Sequence, residues 1–189
     1  MPDGDAARPL REARGRSFAA NGLGAGGYED TWVRFAWGPV RFAIPNTAGR
    51  VRAVRYHDLH HVVTGYAPDW TGEAEIGAWE IASGCRDRFA AWVLDLDAML
   101  IGFWVAPRAV WRAFARGRHS RHCYAELWSE ALLDESVGAV RRRLSLESEV
   151  PRASLSDPLR FAGWSAAALA FASGAPLWLL ASAIGAHFR

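Results

Sequence analysis

The residues best equipped for chemistry are crowded into one stretch, RYHDLHHVVTGYAPDWTGEAEIGAWE, residues 55–80. It holds three of the chain's six histidines, at 57, 60 and 61, together with Asp58, Glu73 and Glu80. Neutral imidazoles four residues apart on a helix share a face and can hold one divalent cation, provided that a further ligand arrives from elsewhere. His57 and His61 have that spacing. Asp58, three before His61, lies at the margin of the same face, whereas His60 points away and is not expected to be a ligand. An antiparallel helix hairpin would return Glu73 beside His61. Glu80, seven residues on, falls on the same face as Glu73, where it could act as a general base or orient a ligand. The expected metal ligands are therefore His57, Asp58, His61 and Glu73, with Glu80 as the candidate catalytic group. Zinc leads as the cofactor, and manganese, iron or cobalt accept the same donors. The competing reading is a polar, solvated helix hairpin with no metal.

The elements that must position these residues can be read from their caps. Asn46 or Thr47 can start a helix that runs to about Thr64 and stops at Gly65. Asp69 or Thr71 can start the next, with Glu73 in its first turn and an end near Ser83-Gly84. The aromatic run Thr31–Pro45, broken at Gly38-Pro39, makes two short pieces, extended or helical. Residues 90–105 are strongly apolar but carry Asp95 and Asp97. Pro107 opens a further helix in which Arg108, Arg112 and Arg116 form a basic stripe, with Gly117 as its stop. One more helix is expected over Tyr124–Leu144. His119, His122 and Cys123 are interleaved with arginines and read as a basic loop.

The fold class expected is mainly α: a compact helical domain built around a helix hairpin, plus a C-terminal apolar helix or helical hairpin. Residues 1–27 read as a loose segment with little to bury, 28–146 as the helical domain and 147–160 as a linker. Residues 161–189 read as an apolar membrane anchor, the alternative being a buried hairpin turning at SGAP. Residues 161–186 carry no charge and arginines cluster before them, which by the positive-inside rule puts the domain on the cytoplasmic face. At 51% apolar with ten tryptophans, the chain can bury a core. A net charge of +2 gives no case for nucleic acid. Cys85 and Cys123, far apart, read as free thiols.

The motif itself resembles the signature of the Coq-four family of coenzyme Q (ubiquinone) biosynthesis, H-D-x-x-H, eleven residues, then E. It stands here as His57-Asp58-Leu59-His60-His61, eleven residues, Glu73. Thr64-Gly65, Gly72-Glu73 and Trp79-Glu80 resemble the family's flanking pattern, as do Gly117-Arg118 and Val140–Leu144. The resemblance covers roughly residues 40–146; the N-terminal region and the apolar tail depart from it. It implies a helical fold, peripheral membrane attachment, a divalent metal on this motif and a tunnel for a polyprenyl chain, which residues 92–105 would line. Its implied chemistry is oxidative removal of the ring carboxyl of a polyprenyl-hydroxybenzoate with hydroxylation at that carbon. The implied partners are a prenylated quinone precursor or other isoprenoid lipid, the membrane, and other quinone-biosynthesis enzymes; monomer and homodimer stay open. The basic stripe would face anionic lipid heads. A second class of function is a non-catalytic prenyl-lipid-binding scaffold with a structural metal. A di-iron histidine box and an HD-type phosphohydrolase both lack the further ligands they need.

Overall fold

The computed structural model describes residues 6–37, 40–146, 154 and 156–187, with side chains for all of these except 35–37, 40, 42 and 173–187. The chain is mainly α, and its one sheet among the described residues is a two-stranded hairpin. The helices are α1 (Leu10–Asn21), α2 (Ala48–Thr64), α3 (Trp70–Ser83), α4 (Phe89–Val105), α5 (Pro107–Arg118), α6 (Glu130–Asp134), α7 (Val137–Arg143) and α8 (Ser156–His187). The strands are β1 (Trp32–Trp37) and β2 (Val40–Pro45), antiparallel with Trp32 opposite Pro45 and Val33 opposite Ile44.

The two helices that matter most begin and end on local signals. The Thr47 hydroxyl accepts the Arg50 N–H at the start of α2, and Gly65 closes it in the left-handed region at φ 82°. Asp69 accepts the Gly72 N–H at the start of α3. α3 then packs along α4 and α5 and meets α2 chiefly through the side chains of Glu73, Trp79 and Glu80. Small residues set that spacing. A Cβ on Gly102 would lie 2.5 Å from both Ala74 and Val110, so α3, α4 and α5 touch at one point. Gly117, expected as a helix stop, is the penultimate residue of α5, which ends at Arg118. A Cβ there would meet Ala82 at 2.8 Å and crowd the Trp79 carbonyl.

Several expectations are corrected by long-range packing. The N-terminal segment, read as loose to Gly27, contains α1. Leu10 and Phe18, two turns apart, are buried, and the Leu10 N–H donates to the Glu135 carbonyl. Two well-placed apolar residues outweigh a polar composition. The single helix expected over Tyr124–Leu144 is broken into a 3-10 turn at Cys123–Ala125, then α6 and α7, each started by a serine cap at Ser129 or Ser136. Arg116 leaves the expected surface stripe: its guanidinium donates to the Thr64 and Leu146 carbonyls at 2.9 and 3.4 Å, whereas Arg108 and Arg112 stay exposed. Cys85 and Cys123 are both free and buried.

The tail runs as one helix, without the turn at SGAP that a hairpin requires. Its first turns are pinned to the body. Asp157 accepts from the Ser154 N–H and from Arg118, Phe161 sits among Phe103, Trp111 and Phe114, and Trp164 stacks on Trp92 at 5.0 Å. The segment expected to line a prenyl channel thus puts Trp92 and Phe103 against α8 and Met99 into the core. No helix among the described residues is long and apolar enough to cross a membrane. The anchor expected over 161–189 falls largely on side chains outside the described residues.

Candidate metal centre

His57 and His61 project from one face of α2 toward the first turn of α3. Their Nε2 atoms are 3.1 Å apart. Each has a different oxygen of Glu73 at 3.3 Å, His57 facing Oε2 and His61 facing Oε1. The three side chains form a group whose ligand atoms all lie within 4.8 Å of one another. Tetrahedral ligands at zinc-type bond lengths are separated by roughly 3.3 Å, so the observed spacings suit one ion.

The outer nitrogens decide the tautomers. His57 Nδ1 is 3.1 Å from Glu80 Oε1, and His61 Nδ1 is 3.0 Å from the Tyr66 carbonyl oxygen. Both partners only accept when Glu80 is ionised, so both Nδ1 atoms carry the proton and both Nε2 atoms present a lone pair. In that state two lone pairs and a carboxylate face one another, and a cation or a further proton must lie between them. A divalent cation suits such a set, and a histidine backed by a carboxylate is a common support for a ligating imidazole. A second proton on His57 can fill that need. Burial lowers its basicity, but the charge of Glu80 and hydrogen bonds to Glu73 and Glu80 outweigh this and hold it well above the ordinary histidine range. Glu73 is half-exposed, with 41% of its side chain open, against 8% for His61, so the centre opens to solvent on the Glu73 side.

Behind His57 lies a sealed polar network. Glu80 is fully buried, and its two oxygens serve His57, His60 Nδ1 at 2.6 Å and the Tyr124 hydroxyl. His60 Nε2 in turn accepts the Cys123 N–H at 2.8 Å. Asp95 completes the group, within 4.8 Å of both Glu80 and His57 ligand atoms, and accepts from the Cys85 thiol at 3.2 Å. Burial raises the affinity of both carboxylates for protons. His57 and His60 hold Glu80 well below the usual range, whereas the Glu80 charge pushes Asp95 further up. Of the two, Asp95 is the carboxyl that favours its proton. His57, Glu80 and Asp95 could in principle take a cation themselves, but Glu80 is already occupied by three donors.

The structure brings His57, His61 and Glu73 together as the spacing requires. It leaves His60 out of the cluster, although His60 is buried rather than on a wet face. Two of the expected site residues stand apart from this group. Asp58 is in neither ligand group; its carboxylate accepts from the Tyr28 hydroxyl. Glu80 is walled off behind His57 and has no open side on which to act as a general base. Asp95 and Tyr124 escaped the sequence reading. A carboxylate inside an otherwise apolar helix was the available signal for Asp95; nothing local marked Tyr124. His122 caps its own 3-10 turn through the Tyr124 N–H, and burial lowers its pKa to about 4. No family of known proteins, no curated protein and no solved structure matches this chain, so its family resemblance stands on the motif alone.

Proposed function

We propose that the chain is a membrane-associated metalloprotein that holds one divalent cation on His57, His61 and Glu73 and serves ubiquinone or another prenylquinone pathway. The observation that carries the metal is the convergence of two Nε2 atoms, 3.1 Å apart, on the two oxygens of Glu73, with both Nδ1 atoms turned to acceptors of their own. The substrate class follows from the Coq-four resemblance. In the reaction it implies, the ring carboxyl of a polyprenyl-hydroxybenzoate leaves as carbon dioxide and the ring carbon gains a hydroxyl. The balance is acid, water and dioxygen to phenol, carbon dioxide and hydrogen peroxide: the ring loses two electrons, water supplies the hydroxyl and dioxygen, the external oxidant, leaves as peroxide. When bound, the cation supplies Lewis acidity toward a carboxylate or phenolate oxygen. Glu80 keeps the His57 ring oriented, and the half-exposed Glu73 marks the side from which a substrate would approach.

Elemental analysis of the purified protein beside a His57→Ala, His61→Ala variant tests this. About one divalent ion per chain in the parent and none in the variant is the expected result; a parent that stays metal-free after reloading refutes it. The identity of the ion separates two chemistries. Zinc has no redox chemistry of its own, and iron or manganese suits reaction with dioxygen. A non-catalytic prenyl-lipid-binding scaffold for quinone-biosynthesis enzymes draws support from one observation, that the nominated base Glu80 is sealed from substrate.

Membrane attachment is supported by the end of the molecule that carries the site. Trp70 at the start of α3 and Trp104 and Val105 at the end of α4 are 51%, 86% and 50% exposed. The Ala74–Gly102–Val110 contact gathers these turns, and exposed Arg108 and Arg112 follow on α5. Aromatic rings beside arginines suit a lipid headgroup layer. A Trp70→Ala, Trp104→Ala variant is expected to lose sedimentation with phosphatidylglycerol-containing vesicles while keeping its metal. Unchanged sedimentation would remove this face from the proposal.

A further inference from the structure

Asp58 is the one residue of the expected ligand set that the structure holds elsewhere, and the cause lies outside the motif. Tyr28 follows Gly26 and Gly27, both in the left-handed region, and its hydroxyl donates to Asp58 Oδ2. The ring is well fixed. Arg55 lies over it at 5.4 Å, Arg14 at 5.8 Å, and Phe18 on α1 is 6.2 Å away. Gly26 is needed for that seat, since a Cβ there would lie 2.7 Å from Phe18 and 2.9 Å from Tyr28. Asp58 is three residues from His61 on α2, within side-chain reach of the same face.

We infer that Tyr28 is a positioning residue that keeps Asp58 from ligating, so that three protein ligands hold the cation and a coordination position stays available to an incoming oxygen. This rests on the metal reading above and deepens it. A three-ligand site with an open position is what catalytic centres keep, and a fourth protein ligand is what structural centres add. The N-terminal segment, outside the resemblance, thereby acquires a task at the site. Removing the Tyr28 hydroxyl leaves the Asp58 carboxylate without its donor, and a cation is the strongest partner it can then find.

Cobalt(II) titration, read by visible absorption and by competition with a chelator, tests this on the full chain. The variants are Tyr28→Phe, Asp58→Asn and the two combined. Phenylalanine keeps the ring against Arg14, Arg55 and Phe18. Asp58→Asn is expected to bind cobalt as the parent does, because Asp58 is not a ligand. Tyr28→Phe is expected to bind about tenfold more tightly, the lower end of what groups next to a ligand shell alter. Its absorption should weaken as the coordination number rises. The double variant should return to the parent spectrum, which general damage to the fold would not produce. Loss of affinity in Asp58→Asn alone would show that Asp58 already ligates and overturn the inference. So would a Tyr28→Phe protein identical to the parent in affinity and spectrum. A parent that binds no cobalt overturns the metal reading itself, and this inference with it.

Discussion

Glu80→Ala is expected to cost the protein about 3–5 kcal/mol of stability, and Glu80→Gln to spare the fold but loosen the metal. The two results have separate causes. Alanine orphans three donors at once, the part-buried His57 Nδ1–H and the buried His60 Nδ1–H and Tyr124 hydroxyl, and leaves a cavity where a fully buried side chain stood. Removing one partner of a buried charged network costs about 3–5 kcal/mol. In a protein of this size about 1 kcal/mol moves the melting temperature by roughly 2–4 °C, so a fall of the order of 10 °C is expected by calorimetry. Glutamine keeps the volume and one accepting oxygen, and the Tyr124 hydroxyl can turn to accept from the new amide. What it removes is the charge that orients His57 and makes Nε2 a better donor to a metal. Loss of such support typically weakens metal binding about 10–100-fold, measurable by chelator competition. A Glu80→Gln protein that binds metal like the parent would show that Glu80 serves the fold alone.

Sequence and structure agree where the determinants are local. Thr47, Gly65 and Asp69 mark their helix ends because a cap acts on backbone groups two to four residues away. His57 and His61 share a face for the same reason. Glu73 was reachable because the intervening loop is short and rich in glycine and proline, which limits where α3 can begin. Determinants far apart in sequence were hidden. Tyr28 reaches Asp58 across 30 residues and Tyr124 reaches Glu80 across 44, and no spacing rule links such pairs. α1 depends on what Leu10 and Phe18 meet in the folded state, which composition does not record. Arg116 fell into an apparent surface stripe because periodicity sorts residues by face but does not say which face is covered. Arg108 and Arg112 remain exposed, whereas one turn later the Thr64 carbonyl at the end of α2 captures the third arginine.

That capture belongs to a wider dependence of the site on the loop between α2 and α3, and Gly72 is its narrowest point. The Tyr66 carbonyl fixes His61 from this loop, Arg116 lies over the Tyr66 ring at 5.4 Å, and the chain then folds back across the first turn of α3. At Gly72 a Cβ would stand 2.6 Å from the Ala67 carbonyl carbon and 2.7 Å from its nitrogen, with the carbonyl oxygen closer still. These are backbone atoms, which have no rotamer by which to yield. Alanine is the better helix former by roughly 1 kcal/mol, so propensity alone would make Gly72→Ala stabilising. Steric exclusion acts the other way: overpacking of this kind costs about 1–3 kcal/mol, occasionally more, and here the whole loop would have to lift. The expected result is a net loss of about 2 kcal/mol in denaturant unfolding. Metal affinity should also fall, because Glu73 is the next residue and a lifted loop carries the Tyr66 carbonyl away from His61. An alanine variant as stable as the parent, with unaltered metal binding, would mean that the loop has a second seating of equal energy. The close approach at Ala67 would then not be what holds Glu73 against the two histidines.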